Sequence, residues 1–93
     1  MIRTFRDDAT RLAFEGKPTK GFPADLRKPA LRKLIQLNEA EVIDALRVPP
    51  GNRLEALKGG RSGQYSIRIN DQWRICFEWR EGNAWHVEIT DYH

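Results

Sequence analysis

The sequence predicts a two-layer α+β domain, in which an N-terminal strand and two or three helices pack on an antiparallel sheet. Two observations carry this. Apolar residues recur at helical spacing between residues 23 and 46, then alternate with a period of two from residue 64 onward. Turn-forming residues, Asn70-Asp71 and Glu81-Gly82-Asn83, divide the second half into hairpin-sized pieces. With 93 residues the chain is expected to form one domain spanning 1–93. A chain this short buries only about 60–65% of the surface its unfolded form exposes, so the core is thin and any site is an open cleft.

Residues 2–6 read as a short first strand, with Ile2, Thr4 and Arg6 alternating against Arg3 and Phe5. Asp7 or Asp8 can cap a short helix through Phe14, because a side-chain oxygen there satisfies free backbone N–H groups. Gly16 ends it, and residues 17–21 form a basic loop with Pro18. Pro23 opens a long amphipathic stretch. Leu26, Ala30, Leu34 and Leu37 form its apolar stripe, with Leu31 and Ile35 beside them and Arg27, Lys28, Arg32 and Lys33 on the wet side. Pro29 either bends this helix or marks where its regular part begins. A further turn or two, with Val42, Ile43 and Leu46 inward, stops before Pro49-Pro50-Gly51.

The remainder reads as three strands. Tyr65, Ile67 and Ile69 alternate with Ser66 and Arg68; Trp73, Ile75, Phe77 and Trp79 with Arg74, Cys76 and Glu78; Trp85, Val87 and Ile89 with His86, Glu88 and Thr90. Short connections make them an antiparallel meander whose apolar members face the helices, leaving Arg68 and Arg74 on the other face.

The formal charge of +3 is unevenly spread. Between Arg47 and Arg74 stand Arg47, Arg53, Lys58, Arg61, Arg68 and Arg74 against only Glu55 and Asp71. That segment should attract a polyanion or an acidic protein. Neither a signal peptide nor a membrane-spanning run is visible, and a cytoplasmic protein is expected. The single cysteine, Cys76, can form neither an internal disulfide nor a cysteine-based metal site, and is expected to pack as a small apolar group. His86 and His93 stand too far apart in sequence to suggest zinc, and no metal or other cofactor is expected. The glycine-rich run 58–63 lacks the spacing of a phosphate-binding loop and reads as a turn.

Several segments together are distinctive: Pro49-Pro50-Gly51-Asn52-Arg53-Leu54, Leu57-Lys58-Gly59, Gly63-Gln64-Tyr65-Ser66-Ile67-Arg68-Ile69-Asn70, Gln72-Trp73-Arg74-Ile75-Cys76-Phe77 and Asp91-Tyr92-His93. In this order and spacing they resemble the HigB-like killer proteins of the RelE/ParE toxin superfamily. The likeness begins at residues 2–5 and is densest from Pro49 onward. It implies a RelE/ParE-like fold and a toxin encoded beside a HigA-like helix-turn-helix antitoxin, which neutralises it. The freed toxin would enter the A site of the small ribosomal subunit and cut mRNA as an endoribonuclease. Operator DNA would be met only through the antitoxin complex, and no membrane is involved. Residues implicated in such toxins match Lys58, Arg74, Asp91, Tyr92 and His93. One position departs: a histidine two residues before the leucine of Leu-Lys-Gly in well-described members is Glu55 here.

Metal-free RNA cleavage turns the 2′-OH on its own phosphate. It needs a base, an acid for the departing 5′-oxygen, and positive charge at the phosphorus. Arg74 and Lys58 are candidates for the phosphate, with Arg53, Arg61 and Arg68 as RNA-binding residues. His93 can exchange protons near neutrality. Asp91 could act as base or orient that imidazole, and Tyr92 could stack on an unpaired base. Glu55 could serve as a general base or only approach Arg53 or Lys58 as an ion pair. Plainer readings stand beside these: Arg74 paired with Glu78 or Glu88, Lys58 as a solvated turn lysine, Tyr92 as packing and His93 as a frayed terminus. Two rival functions remain open, a non-catalytic toxin that binds DNA gyrase and a weakened toxin acting as an antitoxin-binding module.

Overall fold

A computed structural model of the chain describes residues 1–91; Tyr92 and His93 lie outside the described residues. Asp7 caps helix α1 (Asp8–Phe14), its carboxylate accepting the Thr10 N–H at 2.8 Å. Gly16 then takes a left-handed φ of +75°, which turns the chain out of the helix. A 3₁₀ turn over Ala24–Leu26 leads into α2 (Arg27–Glu39). Pro29 therefore falls in the first turn of α2, where its missing N–H has no helical partner to lose. Leu26, Ala30, Leu34 and Leu37 are buried, as their spacing predicts.

Beyond Glu39 the helical period stops. Ala40 is extended, and Val42 is extended as it precedes a 3₁₀ turn over Ile43–Arg47. Leu46 is buried and Ile43 half-buried, but Val42 is 61% exposed, contrary to the inward position its spacing suggests. An extended residue between two helical segments does not share their phase.

The sheet has four antiparallel strands in the order β1-β2-β3-β4: β1 (Glu55–Ala56), β2 (Gln64–Arg68), β3 (Trp73–Arg80) and β4 (Asn83–Asp91). The periodicity identifies β2 to β4, whereas β1 is too short to show a period and is absent from the predicted elements. Asn70 shapes the β2–β3 turn by accepting the N–H groups of Gln72 and Trp73. Glu81 and Gly82 both adopt positive φ in the β3–β4 turn. Gly82 is also needed for space, since a Cβ there would stand 3.2 Å from the Glu41 carbonyl oxygen.

The N-terminal segment joins the far edge of the sheet by two parallel bridges, Ile2 with Ala84 and Phe5 with Val87, rather than as a continuous strand. The interruption coincides with a bulge in β4. His86 sits at φ +53°, and the register of β3 with β4 shifts between Cys76 and Glu78. Thr4 bridges the gap by accepting the His86 N–H on its hydroxyl at 2.8 Å.

That bulge corrects a second expectation. Trp85 does not continue the inward row of Val87 and Ile89: it pairs with Glu78, on the outer face, while Ala84 takes the core position opposite Trp79. One extra residue reverses the side to which every earlier side chain points. Trp85 there lies under the Arg80 guanidinium, 4.7 Å from ring centre to charge.

The core fills the space between the helices and one sheet face, with Ile67, Ile75, Phe77, Val87 and Ile89 meeting the α2 stripe. Phe22 and Trp73 close one end edge-to-face. Thr10, fully buried on α1, accepts the Ile89 N–H at 2.9 Å, which the departing N-terminal segment leaves without a strand partner. Among the described residues, no helix is long and apolar enough to cross a membrane. Thr10→Val keeps the shape but strands that buried donor. It should lower stability by about 1–3 kcal/mol in urea or thermal unfolding, and a change within experimental error would refute the assigned role.

Candidate functional site

The face of the sheet turned away from the helices is built in cross-strand rows, because directly paired residues share a side. One row crosses all four strands as Glu55, Ser66, Cys76 and Glu88. Its neighbour holds Arg68, Arg74 and Thr90. Arg74 is only 8% exposed. Its Nε donates to Ser66 Oγ at 2.9 Å and its Nη2 to the Arg53 carbonyl at 2.8 Å, with Glu55 Oε1 3.7 Å from the same nitrogen. A guanidinium this buried needs hydrogen-bond partners and a counter-charge, and these groups supply part of both.

The carbonyl that receives Arg74 belongs to a shaped loop. A 3₁₀ turn over Pro50–Asn52 ends at Arg53, which takes a left-handed conformation (φ 46°, ψ 54°). Asn52 is fully buried beneath it. Its amide nitrogen donates to Gln36 Oε1 at 3.1 Å and to the carbonyls of Leu46 and Val48 at 3.1 and 3.4 Å, and its oxygen accepts from Lys33. Burial pushes the Lys33 ammonium below its ordinary pKa, and neighbouring Arg32 adds to the effect.

Arg53, Arg68 and Arg74 line one cleft of about 200 Å³ together with Asn70 and Asp71. Asp71 forms an ion pair with Arg68, so one guanidinium of the three is partly neutralised within the cleft. The other anticipated residues are distributed around this centre. Glu55 stands at its side against Arg74, not against Arg53 or Lys58. Arg61 lies on the same face but binds Glu88 at 2.9 Å and Gln64 at 3.1 Å. Lys58 is exposed, three residues beyond Glu55 at the start of a 3₁₀ turn, and does not line the cleft. Glu78 and Glu88, the carboxylates considered for Arg74, instead approach Arg80 with His86 and Arg61 with Arg6.

Asp91 ends β4 opposite Trp73, so the pleat sets it on the side away from Arg74, where its carboxylate accepts from Gln72 Nε2 at 2.9 Å. Tyr92 and His93, the other two members of the anticipated terminal group, lie outside the described residues. Two contributors, Ser66 and Asn52, are not among the residues the sequence singles out. Ser66 was legible as an outward strand position next to an arginine row; a lone asparagine after Pro-Pro-Gly carries no signal beyond a turn.

A larger groove of about 390 Å³ lies elsewhere, between α1, residues 16–22 and α2, floored by Ala13, Phe22, Leu26 and Ala30. It has none of the grouped arginines. Among the described residues, no three His, Cys, Asp or Glu side chains are grouped to hold a metal ion. Cys76 is buried beneath the arginine face, and burial raises its thiol pKa against the opposing pull of Arg61. It should react with Ellman's reagent at neutral pH only on unfolding; prompt native-state labelling would contradict that placement.

A family model described as the RelE-like toxin of the type II toxin–antitoxin system HigB matches residues 3–93. Over 93 residues the chain is 44% identical to a Vibrio cholerae protein named Toxin HigB-1, covering 99% of this chain and 98% of that one. It is 33% identical to a Proteus vulgaris protein named Endoribonuclease HigB, with each chain covered completely. A Haemophilus influenzae protein of no stated function is 37% identical over 90 residues, 96% of this chain and 88% of its own. The chain belongs to the RelE-like HigB toxins of type II toxin–antitoxin systems.

Proposed function

We propose that this toxin is an endoribonuclease that cuts mRNA in the ribosomal A site, by metal-free attack of a 2′-OH on the adjacent phosphate. The observation that carries the reading is the convergence of Arg53, Arg68 and Arg74 in one cleft, with the Glu55 carboxylate beside Arg74. Three guanidiniums are suited to a phosphodiester, since each offers a planar fork of donors that stays charged at every physiological pH. The name of the Proteus vulgaris relative supports the same activity.

In this reading Arg74 stabilises the charge that builds on the phosphorane, and its donors stay in place because the protein already holds the guanidinium. Arg53 and Arg68 steer the RNA backbone, with Arg61 and Lys58 further along the approach. Glu55 is half-exposed and stands 3.7 Å from Arg74, while Asp71, the carboxylate lining the cleft, is engaged by Arg68, so we assign the 2′-OH proton to Glu55. We assign the leaving-group proton to His93 and the hold on the neighbouring base to Tyr92; Asp91, whose pleat position faces away from Arg74, orients the terminal segment that carries them. The small open cleft leaves orientation of the substrate to the ribosome, which is why A-site mRNA is the substrate we favour over free RNA. As a type II toxin it has an antitoxin partner; we assign that role to a HigA-like helix-turn-helix protein, with operator DNA bound through the complex. The site of action is then the cytoplasm, and no cofactor is used.

Expression without the antitoxin should arrest growth and leave mRNAs cut within codons, as read by 5′-end mapping; intact transcripts during arrest would rule the reading out. In a purified translation system, Arg74→Gln should slow cleavage by about 10²–10³-fold, the usual cost of removing one preorganised donor. Glu55→Gln should slow it by about 10²-fold or more if Glu55 is the base. An unchanged rate would leave Glu55 as an ion-pair partner only. Removal of residues 91–93 should abolish toxicity in a chain that still folds. Persistent toxicity would favour a binding toxin over a nuclease.

A further inference from the structure

We infer that Asn52 is a positioning residue for the cleft: it couples α2 to the arginine face by holding the loop whose last residue, Arg53, places both its own side chain and Arg74. The inference deepens the proposed nuclease reading and rests on it for its kinetic consequence, though not for its structural one.

The geometry forms a short relay. Lys33 and Gln36, one helical turn apart on α2, reach out to the Asn52 carboxamide, Lys33 donating to its oxygen and Gln36 accepting from its nitrogen. The same nitrogen takes the carbonyls of Leu46 and Val48, so both ends of the segment 46–52 are tied to one side chain. Gln36 adds a second tie by donating to the Val48 carbonyl. With an oxygen acceptor and two N–H donors in one plane, asparagine can serve Lys33, Gln36 and Leu46, sharing one N–H with the more distant Val48 carbonyl at 3.4 Å; aspartate lacks the donors and leucine lacks both kinds.

Holding residues 46–52 in place also sets the backbone of Arg53. The backbone N–H groups of Asn52 and Arg53 donate to the carbonyls of Pro49 and Pro50 at 3.0 and 3.1 Å, which closes the turn. Arg53 leaves it in the left-handed region, a conformation that a residue with a Cβ keeps only when its surroundings impose it. In that conformation the Arg53 carbonyl meets Arg74 Nη2, and Arg53 is one of the residues that line the cleft. Were Arg53 to relax to an extended conformation, Arg74 would lose this acceptor and the cleft would lose one of its three guanidiniums together. Ser66 would still hold Arg74 Nε, so the expected result is a guanidinium rotated out of place rather than expelled.

The test compares the full-length wild type with Asn52→Ala in two independent readouts. The first is the Arg74 Nε–H cross-peak in a nitrogen–proton NMR spectrum, assigned by its disappearance in Arg74→Lys. The second is cleavage of ribosome-bound mRNA, resolved into kcat and KM. In folded Asn52→Ala, shown by native near-ultraviolet circular dichroism, the Arg74 cross-peak should shift as the guanidinium rotates about its remaining bond to Ser66. The value of kcat should fall by about 10–100-fold, more than KM rises, as a displacement of around 1 Å at a reacting group does. A folded variant with an unmoved cross-peak and kcat within about twofold of wild type would overturn the inference and leave Asn52 a purely structural residue. If the wild type cuts no RNA, the proposed function fails, and the cross-peak alone decides the positioning. If Asn52→Ala does not fold, Lys33→Met, which removes one tie from the helix side, is read in the same way: a shifted cross-peak supports the relay, and an unmoved one with unchanged kcat overturns it.

Discussion

A guanidinium held almost out of water sets the terms for this protein. Taking such a charge from solvent costs several kcal/mol unless hydrogen bonds and a counter-charge replace its hydration. Arg74 obtains these from three directions: a serine hydroxyl on β2, a backbone carbonyl at the end of the 46–53 loop, and a carboxylate on β1. The neighbouring structure can be understood as the means of keeping those three groups in place. Ser66 is buried because it serves Arg74; β1 has only two residues but brings Glu55 to the same side; and the loop is pinned to α2 through Asn52.

A thin core explains why the site is shallow. One sheet face is spent on the helices, which leaves the cleft of Arg53, Arg68 and Arg74 on the other. Side chains that cannot be enclosed are managed by pairing. Arg61 and Arg6 meet Glu88, Arg68 meets Asp71, and Arg80 covers Trp85. Pairs this exposed contribute little to stability, typically about 0–1 kcal/mol each, so their worth lies in where they put the charges. The outcome is a face where Arg53, Arg68 and Arg74 gather at one end, partly offset by Asp71 and Glu55, while Arg61 and Arg6 share Glu88 elsewhere on it. A substrate of repeated negative charge would be drawn to the first end. Such a layout suits a toxin whose substrate arrives already bound to a larger machine, because the protein then needs to supply charge and proton transfer more than enclosure.

Much of this was legible in the residues. The helical stripe of Leu26, Ala30, Leu34 and Leu37 and the alternation through β2 and β3 survive in the structure because each is long enough for its period to be unmistakable. The arginine face was visible too, since Arg68 and Arg74 occupy outward positions on adjacent strands. Three features were not. Trp85 changes sides through one residue of bulge at His86, which breaks the alternation without any glycine to announce it. Val42 departs from the helical phase because the chain is extended there. The partners of Arg74 come from residues 8 and 21 positions away, and pairwise geometry at that separation depends on register rather than on local pattern. The terminal Tyr92 and His93 lie outside the described residues, and the roles proposed for them come from the family resemblance and the logic of phosphoryl chemistry.

The proposed chemistry requires Arg74 to meet the phosphate that is cut. A structure of the toxin on a ribosome carrying mRNA with a 2′-O-methyl group at the cleavage position, which blocks attack and preserves the substrate, would observe that contact directly. The scissile phosphate should lie in the cleft of Arg53, Arg68 and Arg74, with a non-bridging oxygen at hydrogen-bond distance from the Arg74 guanidinium. A phosphate lying outside this cleft, with Arg74 still bonded only to its own protein, would contradict that chemistry.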